Sequence, residues 1–94
     1  MKQLISNYIE ENYSVTVKEL AIVKAHLIYT KCDRFKDELS LVRADLLEDI
    51  EKELLLPNGY STTTKQELML TIEQVLDSII EYYSNSILDS LNVL

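Results

Sequence analysis

The sequence predicts an all-α protein, an antiparallel helical hairpin or three-helix bundle with a long central helix. Three observations carry that prediction. Apolar residues recur in steps of three and four along most of the 94 residues. The only proline and the only glycine fall together in the stretch Leu54, Leu55, Leu56, Pro57, Asn58, Gly59, Tyr60, Ser61, which reads as a bend. No apolar–polar alternation is long enough for a strand, since that at Tyr13 to Val17 stops at once.

The first helix is expected over residues 2–12. Leu4, Ile5, Tyr8 and Ile9, with Tyr13 beyond, follow the i, i+1, i+4, i+5 spacing of an amphipathic stripe. Asn12, Tyr13 and Ser14 are expected to end it. Thr16 and Glu19 then match a capping box, in which the hydroxyl and the carboxylate each accept from the other residue's amide.

A second helix is expected over residues 17–55. Ala21, Ala25, Ile28, Cys32, Phe35, Leu39, Val42, Leu46 and Ile50 form one uninterrupted stripe. Such a helix is about 58 Å long at 1.5 Å per residue. Its weakest point is Cys32–Asp33, where Asp33 is able to cap a separate helix. A second stripe of Leu20, Val23 and Leu27 calls for two packing partners at its start.

After the bend, Thr64 and Glu67 repeat the capping-box pattern behind Ser61, Thr62 and Thr63. The third helix is placed at residues 65–92. Leu68, Ile72, Val75, Leu76, Ile79, Ile80 and Tyr83 project onto an arc of roughly 160° at 100° per residue. Beyond Ser84, Asn85 and Ser86 the apolar positions Ile87, Leu88 and Leu91 rotate off that face. A central helix near 58 Å outreaches its short neighbours, so a homodimer is expected to cover the remainder.

Composition bounds the rest. Hydrophobic residues at 47% and charged residues at 27% belong to a folding globular chain, read as a single domain over residues 1–94. Charges interrupt every apolar run well short of the roughly 20 residues a membrane helix needs. Glu10 and Glu11 follow the N-terminus where a signal peptide would carry an apolar core, so a cytoplasmic location is expected. Cys32 is alone, which excludes an internal disulfide and a Cys-x-x-Cys metal site and suits a small core residue in a reducing compartment. Abundant Ile, Lys, Asn and Tyr beside few Ala, Arg, Gly and Pro suggest an AT-rich coding sequence, which tilts the source toward bacteria of low GC content or their phages.

The net charge of −7 is unevenly placed. Residues 1–44 hold seven Lys or Arg against six Asp or Glu, and residues 45–94 hold two against ten. On the third helix Glu73, Asp77 and Glu81 recur every four residues, a like-charge spacing that costs a few tenths of a kcal/mol per pair. Asp45, Glu48, Asp49, Glu51 and Glu53 crowd the end of the second helix, where the macrodipole favours cations, with Arg43 and Lys52 as counterweights. A hairpin bent near residue 58 brings Asp45 and Asp49 opposite Glu73. The combined surface, Asp45, Glu48, Asp49, Glu73, Asp77 and Glu81, is the candidate docking site for a protein partner with a basic surface. The same field repels phosphate backbones, so direct nucleic-acid binding is not expected. Tyr60 in the bend and Tyr82 at the arc's edge are candidate interface aromatics, while Tyr29 and Tyr83 are expected to pack in the core.

Catalytic signals are missing. His26 has no second histidine, serine nucleophile or cysteine partner in a recognisable arrangement and reads as an ordinary helical residue. A helix-bundle di-iron site needs Glu-x-x-His twice and is excluded by the single histidine. Acidic pairs at i, i+3 on facing helices, such as Glu48 and Glu51, are similar to those of magnesium-dependent all-α nucleotide pyrophosphohydrolases, whose carboxylates hold hard cations that bridge phosphates. Glu73 and Asp77 depart from that pattern with a spacing of four, and little Lys or Arg lies nearby for phosphate. Thr16 to Leu27 lacks the Gly-containing turn of a helix-turn-helix. The bend Pro57–Asn58–Gly59–Tyr60 lacks the Trp-x-Gly of small helical-hairpin secretion substrates. The expectation is a non-enzymatic acidic interaction protein without metal or cofactor, of the inhibitor, immunity-protein or phage-modulator kind by analogy of size and charge. An oligomeric assembly protein and a divalent-metal pyrophosphohydrolase-like enzyme are the alternatives.

Overall fold

Ile5, Ile9, Tyr13, Val17, Ala21 and Ala25 follow one another at steps of four, and this face carries the first helix past its expected end. Helix α1 spans Lys2–Thr30 in a computed structural model that describes residues 2–93 and the side chains of 2–91. At Tyr13 the backbone leaves helical geometry (φ −131°, ψ 24°) and the helix kinks. The Asn12 amide donates to the Tyr8 carbonyl at 2.9 Å, so the residue expected to end the helix supports its last straight turn. The expected break therefore falls at Tyr13, where two helical segments meet across a kink, and what differs is that helix resumes at once and not after residue 16. Ile5 and Ile9 before it and Val17, Leu20, Ala21 and Ala25 after it are all buried, and that burial outweighs the turn preference of Asn12 and Ser14. Thr16 lies inside α1 and not at a helix start.

The expected helix over residues 17–55 is also corrected, because it is divided at Lys31–Cys32. Helix α2 spans Asp33–Ile50. Lys31 adopts a left-handed conformation (φ 56°) and its amide donates to the Leu27 carbonyl at 2.8 Å, the single-bond cap usually given to glycine. Cys32 is extended and occupies the cap of α2 without a side-chain capping bond. Asp33 takes the first turn of α2, where its charge suits the helix dipole. A straight helix would hold Ala25 about 38 Å from Ile50. Folding back brings Ala25 and Leu46, Leu47 and Ile50 to buried positions. The break costs the stripe its middle: Ile28 is 47% exposed, Tyr29 is 60% exposed and Cys32 is exposed, against the core positions expected for them.

After α2 the helix widens into a π-helical turn, Glu51–Leu55, with the Leu56 amide reaching back to the Glu51 carbonyl. A 3-10 turn, Leu56–Asn58, follows. Pro57 brings no amide and its ring crowds the carbonyl four residues back, so an α-helix cannot continue through it. The Asn58 side chain serves the Leu54 carbonyl. Gly59 closes the bend in the left-handed region (φ 65°), donating to Leu56 at 3.3 Å.

Helix α3 spans Thr62–Val93, starting three residues before the expected position. Ser61 supplies the cap: its hydroxyl accepts from the Thr64 amide at 3.3 Å, and its carbonyl accepts from the Lys65 amide at 2.8 Å. Ile72, Val75, Leu76, Ile79 and Ile80 are buried, as their arc requires.

The described residues are almost wholly helical, with no strand among them. The core is one cluster drawn from all three helices and the turn between α2 and α3, with Ile9, Leu20, Ile50, Ile72 and Leu76 fully enclosed. α1 packs principally on α3 and less on α2. Leu4 and Ile5 line one groove with Leu68 and Ile72, Glu10 accepts from Tyr83, and Lys18 and Ile22 line another groove with Ser86 and Ile87, so α1 and α3 run in the same direction. Ion pairs run the other way between α2 and α3, Arg43 with Asp77 and the π-turn residue Glu51 with Lys65. The longest dimension is 48 Å, the length of α3 rather than of an unbroken central helix. No helix among the described residues is long and apolar enough to cross a membrane.

Candidate interaction surface

The polar side of α3 follows from its apolar arc. With Ile72, Leu76 and Ile80 turned inward, Glu73, Asp77 and Glu81 take positions next round the helix; Asp77 and Glu81 are exposed and Glu73 is half-buried. On α2, Leu46, Leu47 and Ile50 face the core, which leaves Asp45, Glu48 and Asp49 exposed.

Cations pair with some of these carboxylates. Arg43 grips Asp77 with two parallel bonds, Nε to Oδ1 at 2.8 Å and Nη2 to Oδ2 at 2.9 Å, the fork geometry that makes arginine–carboxylate pairs specific. That hydrogen bond, opposed by partial burial and aided by the charges of Asp77 and Glu73, raises the Arg43 pKa above its ordinary value. Lys65 pairs with Glu51 at 2.7 Å. Lys52 pairs with Glu48 one turn away at 2.8 Å, and its hydrogen bond holds the Glu48 carboxyl below the usual range. Of the six predicted docking carboxylates, Asp77 and Glu48 are thus neutralised locally. Among the described residues Asp45, Asp49, Glu73 and Glu81 form no ion pair.

Glu53 has a different use. Its carboxylate accepts from the hydroxyls of Tyr13 and Tyr8, the latter at 3.4 Å, and the two rings stand edge to face with centroids 6.1 Å apart. The π-helical turn is thereby tied to the kink in α1. Burial first, and then the bond to Glu53, push the Tyr13 phenol above its ordinary range. Nearby, the charge of Glu10, with burial and a 3.4 Å bond, raises Tyr83.

The two predicted interface tyrosines lie apart. Tyr60, 46% exposed, lines an apolar groove of about 260 Å³ with Leu4, Ile5, Tyr8, Leu54 and Leu68. Tyr82, 72% exposed, rests edge to face on Tyr83 at 5.4 Å and borders a second groove beside Lys2, Ser6 and Ser78. His26 is exposed, with Nδ1 2.9 Å from the Ile22 carbonyl and its ring 5.7 Å from that of Phe35. Among the described residues no three of His, Cys, Asp and Glu converge as metal ligands.

Two features were not anticipated. The ion pairs Arg43–Asp77 and Glu51–Lys65 join residues on either side of the bend. The Tyr13–Glu53 bond joins residues 40 apart through a kink and a π turn, and no local pattern signals it. Comparison with protein-family models, curated proteins and solved structures finds no match to this chain.

Proposed function

We propose that this chain is a non-enzymatic interaction protein that binds a protein partner of basic surface through the acidic C-terminal half, and that it works as a homodimer. The observation that carries the reading is the group Asp45, Asp49, Glu73 and Glu81: carboxylates with no ion-pair partner among the described residues, with Asp45 and Asp49 near the C-terminal end of α2, where the dipole disfavours them, and Glu73 and Glu81 each four residues from Asp77. In this reading the ion pairs Arg43–Asp77 and Lys65–Glu51 link α3 to α2 and the π turn and leave the other carboxylates for the partner. Partner recognition by such a surface is strongly salt-dependent and acts on association rate more than on residence time. Inhibitor, immunity and phage-modulator roles in the cytoplasm, where a lone thiol stays reduced, suit this kind of recognition.

An assembly role is favoured by a different observation. No residue between 26 and 45 is buried, and Ile28, Tyr29 and Leu41 in that stretch are large, apolar and exposed, a surface that a second chain is suited to cover.

The test is capture of binding proteins by the wild-type chain and by a variant carrying Asp45→Asn, Asp49→Asn, Glu73→Gln and Glu81→Gln, none of which breaks a recorded ion pair. A basic protein retained by the wild type and lost by a variant of equal helicity supports the reading. Equal retention removes it.

A further inference from the structure

The link between α1 and α2 is two residues long, and neither suits its place. Lys31 holds a left-handed conformation at φ 56°, which costs any residue with a Cβ and is usually left to glycine. Cys32 stands at the cap of α2 and makes no side-chain capping bond; its amide has only a 3.4 Å contact with the Thr30 hydroxyl. Meanwhile the apolar stripe Ala25, Ile28, Cys32, Phe35, Leu39 continues across the link in helical phase, and no proline or glycine interrupts it. Local sequence therefore favours one helix through a point that the tertiary fold bends.

We infer that this link is a hinge, and that two copies of the chain associate by exchanging α1. In the exchanged dimer Lys31 and Cys32 become helical, α1 and α2 join, and the α1 of each copy packs on α2 and α3 of the other. Short hinge loops under strain invite such exchange. No new complementarity is required, because the interface already exists within one chain: the core contacts of Ile5, Ile9, Val17 and Leu20, the Tyr13–Glu53 bond and the Tyr83–Glu10 bond all re-form between copies. Straightening removes the left-handed residue and the uncapped helix start at once. The hinge is flanked by Ile28, 47% exposed, Tyr29, 60% exposed, and Leu41, 68% exposed, which meet their counterparts where the two joined helices cross. The single chain also exposes 6309 Å², against about 5,600 Å² for a compact monomer of this mass.

This inference rests on the homodimer part of the proposed function and is independent of the acidic surface. The hinge is read by an intrachain distance. With Cys32→Ala, Glu19→Cys and Ala44→Cys, spin labels sit at exposed positions on α1 and α2, and dilution into excess unlabelled chain leaves only intrachain pairs. The folded-back chain holds the labels within about 20 Å, since neighbouring helix axes lie 8–10 Å apart. A joined helix separates them by roughly 38 Å over 25 residues. The proposal expects the long distance in the dimer fraction and the short one in the monomer. Lys31→Gly, which relieves the left-handed strain, is expected to weaken the dimer at least about tenfold. Lys31→Ile, β-branched and ill suited to positive φ, is expected to strengthen it. A dimer that keeps the short distance overturns the exchange while leaving a dimer in place. A monomer for all three sequences at every concentration overturns both. Equal partner capture by the wild type and the Asn and Gln variant, with the long distance retained, removes the acidic-surface reading and supports the exchange.

Discussion

Replacing Ile9 and Ile28 separately by alanine compares the same deletion at two positions that the apolar periodicity treats alike. Ile9 is 0% exposed and Ile28 is 47% exposed. Ile9→Ala removes a fully buried side chain and leaves a cavity, a loss of about 3 kcal/mol within the 2–5 kcal/mol range for such changes. Ile28→Ala forgoes only about half of the transfer term and opens no enclosed cavity, so about 1 kcal/mol or less is expected. Total stability for 94 residues is of order 5–14 kcal/mol at 0.05–0.15 kcal/mol per residue, so both variants fold. The assay is urea denaturation followed by helical circular dichroism at low protein concentration, since association adds apparent stability. With a slope of about 1.2 kcal/mol per molar urea, Ile9→Ala lowers the midpoint by roughly 2.5 M and Ile28→Ala by less than about 1 M. Equal losses would refute the reasoning, because they would place residue 28 in the core and restore the unbroken helix over residues 17–55.

Two other predictions concern the polar contacts. A double-mutant cycle on Arg43→Ala and Asp77→Ala should give a coupling of about 0.5–1 kcal/mol, modest because the side chains are 32% and 52% exposed, and it should shrink in molar salt. The phenol of Tyr13 has its folded-state pKa raised, chiefly by burial and then by Glu53, so the stability it contributes is complete below the unfolded value near pH 10 and is lost as pH rises above it. Ultraviolet titration should find late tyrosine ionisation that Tyr13→Phe reduces, and the same variant should flatten the fall in stability above pH 10.

The helical class, the bend at Pro57 to Gly59 and the inward arc of α3 were legible because each depends on local periodicity or on a backbone restriction. Pro57 and Gly59 act through their own geometry, and Ile72, Leu76 and Ile80 are inward on any helix that buries one face. In α1 the interruption signalled by Asn12 to Ser14 is present at Tyr13; the immediate resumption of helix was not legible, because it follows from the burial of Ile9 and Val17 on either side. The break at Lys31 is the reverse case: local preference favours continuation, and the core that Leu46, Leu47 and Ile50 share with Ile9, Val17 and Leu20 overrides it. Within the acidic surface, the spacing of Glu73, Asp77 and Glu81 could be read directly. The selective neutralisation of Asp77 by Arg43 depends on how α2 and α3 sit together.

The central claim is that the unpaired carboxylates of the C-terminal half select a basic partner. Its most direct measurement is affinity capture from native host cells at low and high salt, comparing the wild type with the Asp45→Asn, Asp49→Asn, Glu73→Gln, Glu81→Gln variant. The account predicts one basic protein held by the wild type, released as salt rises, and missing from the variant although its helicity is unchanged. A partner held equally by both, with no dependence on salt, would contradict it.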